Sequence, residues 1–230
     1  MTFTRYAIFH TPGPGPLADF CIGWLGWDVL NGKPADRGTV GKLPIPPDAI
    51  TETPRKYGFH GTIKPPFRLA ADLTEADLIA SLEAFCAQTA PVTVEGLELA
   101  QLGRFLALVP VGDEGALNSL AAEVVQRFDK FRAPLTEAEL ARRRARPLSP
   151  RQETLLQQWG YPYVMQEFRY HLTLTSKLPK AQTSATREAL LPHLTPLLPT
   201  PFMMDSLSLV GEGQNGRFRV IKRCPLTASI

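Results

Sequence analysis

The chain copies part of itself, and the copy limits its possible folds more than any other feature. Two His-x-Thr motifs with matching flanks stand at His60–Thr62 and at His171–Thr173, 111 residues apart. An aromatic residue precedes each histidine (Phe59 and Tyr170), and another stands three positions before it (Tyr57 and Phe168). After each motif come a helical stretch, a proline-led apolar stretch and the tripeptide Gly-Arg-Phe, at 103–105 and at 216–218. The histidine lies 43 residues before the tripeptide in the first copy and 45 in the second. The repeated unit reads strand–helix–strand–strand, so the fold expected is α+β with two pseudo-symmetric lobes. Each lobe would be an antiparallel sheet with outer helices. The axis relating them would bring the two motifs face to face across a central cleft.

Side chains alternate along a strand. In "YGFHGTIKPPF" (57–67), His60, Thr62 and Lys64 should share one face, with Phe59, Gly61 and Ile63 on the other. In "FRYHLTLT", His171, Thr173 and Thr175 should share a face opposite Tyr170, Leu172 and Leu174. One such triplet on a strand is ordinarily a half-buried polar edge. Two in a matched repeat point to chemistry.

The remaining elements follow from local signals. "TRYAIFHT" (4–11) alternates as a strand and is stopped by "PGPGP". Residues 73–90 and 115–131 read as helices, with Thr74 and Asp77 suited to capping the first. The stretch 91–110 reads as two strands joined around Gly103, and a proline-interrupted helix is expected over about 180–198 before two last strands. The whole chain, 1–230, is expected to form one bilobal domain. Its first repeat spans about 55–131 and its second about 165–226, and the non-repeated insertion at about 132–160 holds two short helices. Thr136 with Glu139, and Ser149 with Gln152, fit capping boxes there, with Pro150 at a first helical position.

With 230 residues and 44% hydrophobic content, the chain can bury a sizeable core. Its net charge of +3 is too small for wholesale nucleic-acid binding, yet it permits a local basic surface for an anion. Three scattered cysteines without a CxxC pair fit reduced thiols and a cytoplasmic location. No apolar run approaches a membrane span, and the N-terminus lacks the order of a signal peptide. No HExxH or close ligand cluster suggests a metal, and no cofactor is expected. His10 and His193 lack the triplet and read as core or solvated residues.

Paired His-x-Thr motifs about one repeat apart in a duplicated α+β chain resemble the two-histidine (2H) phosphoesterase superfamily. More narrowly, "KYGFHGTIKPPF", "FRAPLTEAELARRR" and "LSPRQETLLQQWGYPYV" are similar to a bacterial branch described as phosphonate-metabolism proteins. The resemblance implies metal-independent cleavage of a cyclic or diester phosphate, with His60, Thr62, His171 and Thr173 as the catalytic positions. The chemistry suits the residues. Opening a phosphodiester needs a base on the attacking oxygen and an acid on the leaving oxygen, and histidine serves either role near neutral pH. Threonine hydroxyls and a cation such as Lys64 could steady the charge on phosphorus. Substrate contacts are expected from Lys64, Thr175, Tyr57, Arg142, Arg143, Tyr161 and Tyr163. The arginine run reads more readily as a solvated helix face, and the tyrosines read equally as packing on the core.

The leading reading is a monomeric cyclic phosphodiesterase for a nucleotide or phosphorylated sugar, with RNA ends as possible substrates and no membrane partner. The alternatives are a module that binds nucleotides or RNA ends without turnover, and ligase-like RNA phosphotransfer.

Overall fold

The computed structural model describes residues 2–228. In chain order the elements are β1 (Tyr6–His10), α1 (Pro16–Leu25), β2 (Trp27–Asp28), β3 (Lys33–Pro34), α2 (Pro47–Ile50) and β4 (Gly61–Phe67). Next come α3 (Glu75–Ala87), β5 (Val92–Val94), β6 (Gly96–Leu102), β7 (Phe105–Val111) and α4 (Gly115–Arg127). The insertion supplies α5 (Glu137–Arg144) and α6 (Pro150–Trp159). The second copy supplies β8 (Leu172–Thr173), α7 (Lys180–Leu194), β9 (Phe202–Met204), β10 (Ser206–Glu212) and β11 (Phe218–Pro225). The architecture is α+β.

The sheets of the two halves are continuous. Seven strands run in the order β11-β10-β1-β4-β8-β7-β6, each pair antiparallel, and the halves join where Gly61 pairs with Leu172. Neither motif strand pairs with the hairpin of its own copy. The β6–β7 hairpin adds to β8, and the β10–β11 hairpin reaches β4 through β1. The helices are exchanged too: α3 packs against β10 and β11, and α7 against β6 and β7. The proline-led strands of the two copies pair with one another, Val92 with Met204 and Val94 with Phe202, so this pair lies at the pseudo-twofold.

Helix starts follow the sequence closely. Thr74, Thr136 and Ser149 each accept from the backbone N–H three residues on and donate their own backbone N–H to that residue's side chain, so all three capping boxes form. The main core lies between the helices and one face of the sheet, built on Ile8, Ile63, Leu108, Leu172 and Leu209. A smaller cluster of Ala7, Phe9, Trp27, Val29, Val210 and Phe218 covers part of the other face.

The motif strands are shorter than the alternation predicts. β4 begins only at Gly61, and β8 is two residues long, so both histidines stand just before a strand end. Gly58 is the reason on the first side. It holds φ 73°, and a Cβ there would lie 2.6 Å from Cβ of Val29, so only glycine lets the chain enter β4 at this angle. Among the described residues no helix is long and apolar enough to cross a membrane.

Candidate active site

The seam between β4 and β8 brings the two motifs together. Carrying the antiparallel register on from Gly61–Leu172 sets His60 opposite Thr173 and Thr62 opposite His171. Directly opposed residues sit about 5 Å apart and diagonal ones roughly 7–8 Å. The histidines thus occupy one diagonal of a four-residue square and the threonines the other.

Both histidines are held in the same way. Nδ1–H of His60 donates to the Gly58 carbonyl at 2.9 Å, and Nδ1–H of His171 donates to the Arg169 carbonyl at 2.8 Å. A carbonyl can only accept, so the proton is fixed on Nδ1 and each Nε2 is presented to the site. In the neutral ring of His60, Nε2 accepts from the Thr62 hydroxyl at 3.1 Å. An aromatic ring from a neighbouring strand backs each imidazole. Phe9 stacks on His60 at 3.9 Å between centroids, and Phe105 lies 5.8 Å from His171.

The surroundings of the two rings differ. His60 is buried and His171 only half-buried. Burial pushes the His60 pKa down to about 4, against the pull of the Gly58 hydrogen bond, and the charge of His171 adds to the lowering. His60 is therefore neutral at pH 7.

Lys64 and Thr175 do not share the motif face. The β1–β4 register shifts between Phe9–Thr62 and Ile8–Lys64, so Ile63 is an extra residue and Lys64 turns to the side of Ile8. There it is fully buried. Its ammonium donates to the Val125 carbonyl and pairs with Asp129 at 3.4 Å. Burial lowers its pKa to about 8, partly offset by Asp129. The second copy repeats the device, with the N–H groups of Leu174 and Thr175 both directed at the Leu106 carbonyl. The buried Thr175 hydroxyl accepts from the Leu106 N–H at 2.9 Å, a scaffold bond. The expected triplets are pairs, and the bulges that end them are where simple alternation fails.

Tyr57 remains beside His60, its ring 5.7 Å away and stacked on Phe218 at 5.0 Å. Its phenol lies within electrostatic reach of Arg5, Arg143 and Tyr161, which line a pocket between β4, α4 and the insertion. Arg143 lies over the Tyr161 ring at 4.5 Å, and Arg142 lines the same pocket. Tyr163 is different: it is exposed, and its ring meets that of Tyr161 edge-on, 5.6 Å away. Arg144 pairs with Glu153, and Arg146 is exposed. Among the described residues no three His, Cys, Asp or Glu side chains converge on a common point.

A family model described as "Protein of unknown function (DUF1045)" matches residues 62–219. The chain belongs to that family. A "Ribose 1,5-bisphosphate phosphokinase PhnN" of Janthinobacterium sp. (strain Marseille) is 36% identical over 221 residues, 94% of this chain and 49% of that protein. The protein of the same name from Laribacter hongkongensis is 31% identical over 215 residues, 92% and 49% of the respective chains. The chain thus spans about half the length of the curated relatives it matches. Among solved structures, TT0787 of Thermus thermophilus is similar with a TM-score of 0.48 at 15% identity, over 98% of this chain and 100% of that one. A structure described as a phosphoesterase gives 0.46 at 16%, over 99% and 100%. E. coli LigT complexed with 3'-AMP gives 0.44 at 15%, over 97% and 98%.

Several residues near the site carry no sequence signal that would have found them. Arg5 enters the pocket from β1's approach and is gripped by both carboxylate oxygens of Glu212, at 2.6 and 2.8 Å. Behind the seam, Nδ1 of the buried His10 meets the Tyr170 hydroxyl at 2.5 Å. Burial holds the pKa of His10 down at about 3 and raises that of Tyr170, so the phenol donates and the imidazole accepts.

Proposed function

We propose that this protein opens a cyclic phosphate, or cleaves a small phosphodiester, by acid–base catalysis between His60 and His171 without a metal. The observation that carries the reading is the square itself: two histidines, each fixed by a backbone carbonyl at Nδ1, diagonal to each other and alternating with two threonines. His60, kept neutral by burial, is the base. Its Nε2 takes a proton from water as the water oxygen bonds to phosphorus. The bond from phosphorus to the leaving oxygen breaks, and His171, entering the step with a proton on each ring nitrogen, gives that oxygen its Nε2 proton while Nδ1–H stays on the Arg169 carbonyl. Thr62 gives up its bond to Nε2 and, with Thr173, donates to the non-bridging oxygens, where negative charge grows. Arg142, Arg143, Tyr57 and Tyr161 contact the rest of the substrate. Relatives named for ribose 1,5-bisphosphate phosphorylation support phosphorylated pentoses, beside nucleotides, as compounds to try.

The test is turnover of a panel of sugar and nucleoside cyclic phosphates by the purified protein with a chelator present. Activity that vanished on chelation and returned with zinc or manganese would overturn the mechanism. So would a near-wild-type rate in His60→Ala or His171→Ala, since each acid or base should contribute about 100- to 10,000-fold.

A further inference from the structure

The pocket beside Tyr57 holds more positive charge than the fold uses. Six cations line it: Arg5, Lys64, Arg68, Arg132, Arg142 and Arg143. Three carboxylates engage four of them, Glu212 on Arg5, Glu139 on Arg68, and Asp129 on both Lys64 and Arg132. Glu139 also caps α5, and its bond to Arg68 holds its pKa down at about 2. Among the described residues, neither Arg142 nor Arg143 has a carboxylate within ion-pair distance or an acceptor for its guanidinium. Arg143 is half-buried against Tyr161, and burial together with the charges of Arg142 and Arg5 disfavours its protonated form.

Such an arrangement works against folding. Arg142 is exposed and costs little, but at Arg143 a half-buried guanidinium with no hydrogen-bond acceptor, its partner the Tyr161 ring, set among like charges, lowers stability. The C-terminal end of α5 favours cations, but that effect is worth only about 0.3–1 kcal/mol. It is served equally by Arg144, which instead meets Glu153. Neither effect accounts for Arg143 lying on Tyr161 within reach of Arg5.

We propose that Arg142 and Arg143, with Arg5 held beside them by Glu212, bind a phosphate monoester of the substrate other than the phosphate attacked at the histidines. The ligand class follows from the charges. A monoester is a dianion near neutral pH, and guanidinium forks match its oxygens in pairs. A lone carboxylate would leave charge unbalanced, and an RNA backbone would require cations strung along a groove, whereas these are gathered in one pocket. Tyr57 touches His60 on one side and feels Arg143 on the other, so the body of the substrate lies along it. The substrate is then a small molecule phosphorylated twice. This inference rests on the reaction proposed above and is more specific than it.

Two measurements test it. The first is the ratio of kcat/KM for a cyclic phosphate bearing a second, terminal phosphate to kcat/KM for the same compound without it. Arg143→Ala and Arg142→Ala should each lower that ratio about 10- to 100-fold, and Arg143→Lys less. An unchanged ratio in both variants overturns the proposal. The second is binding of inorganic phosphate by calorimetry, independent of turnover. Binding kept in His60→Ala and lost in Arg143→Ala supports the subsite, even if no cyclic phosphate proves to be a substrate and the proposed reaction falls. Binding lost in His60→Ala and kept in Arg143→Ala overturns the subsite. Free phosphate should also compete with the twice-phosphorylated compound, raising its KM; if it binds without competing, the anion sits elsewhere and the assignment to the substrate is wrong.

Discussion

Replacing Gly61 with alanine would set a methyl group where the ring of Tyr170 already lies. The added Cβ would be 2.5 Å from Cε2, 2.7 Å from Cζ and 2.8 Å from the hydroxyl oxygen. Ordinary carbon contacts begin at about 3.5 Å, so roughly 1 Å must be found. Tyr170 has nowhere to retreat: it is buried, bonded to His10 and packed beside Phe202. The strands must part instead, at Gly61–Leu172, the pairing that joins the two halves of the sheet. Overpacking of this kind costs about 1–3 kcal/mol, or roughly 2–12 °C in Tm for a chain of this size. Displacing one motif about 1 Å against the other should cost on the order of 100-fold in kcat/KM. The assay is thermal unfolding alongside turnover of the best substrate in the panel. A double-mutant cycle with Tyr170→Ala isolates the clash, and the penalty of Gly61→Ala should shrink in that background. A Gly61→Ala protein with wild-type Tm and rate would refute the reasoning, because the seam could then not be as tight as described.

The pH profile of kcat/KM should be a bell whose limbs belong to the histidine pair, with the acidic limb below the ordinary histidine value because burial keeps His60 neutral down to about 4; an acidic limb at or above pH 6.5 would contradict this. Folding stability should fall in acid for the same reason. His60 and His10 have folded pKa values of about 4 and about 3, below the unfolded 6.5, so their contribution is complete above pH 6.5 and is lost as pH drops through that window. The loss is roughly 3–5 kcal/mol for each; urea midpoints that stay level from pH 7 to 4 would rule it out. Thr175→Val should cost about 1–3 kcal/mol by leaving the Leu106 N–H without its acceptor, while kcat/KM changes far less than in Thr173→Val. The opposite order of the two rates would return Thr175 to the site.

The sequence by itself determined the repeat, the motif pair and the helix starts. Those signals are local: a capping box closes within four residues, and Thr74, Thr136 and Ser149 could be read without knowing what their helices would touch. His-x-Thr likewise needs only the two-residue strand period to put both side chains on one face. What lay beyond was decided between segments distant in the chain. Whether Lys64 follows Thr62 onto the motif face depends on how β1 registers with β4, and the extra residue at Ile63 exists only as a mismatch between two strands. The hairpins crossed to the opposite motif because the copies fold around one axis and complete each other's sheet, which a repeat of local patterns cannot express. Arg5 became a neighbour of Arg143 for the same reason. More than 130 residues separate them in sequence, and only the packing of the insertion beside β4 makes their charges one pocket.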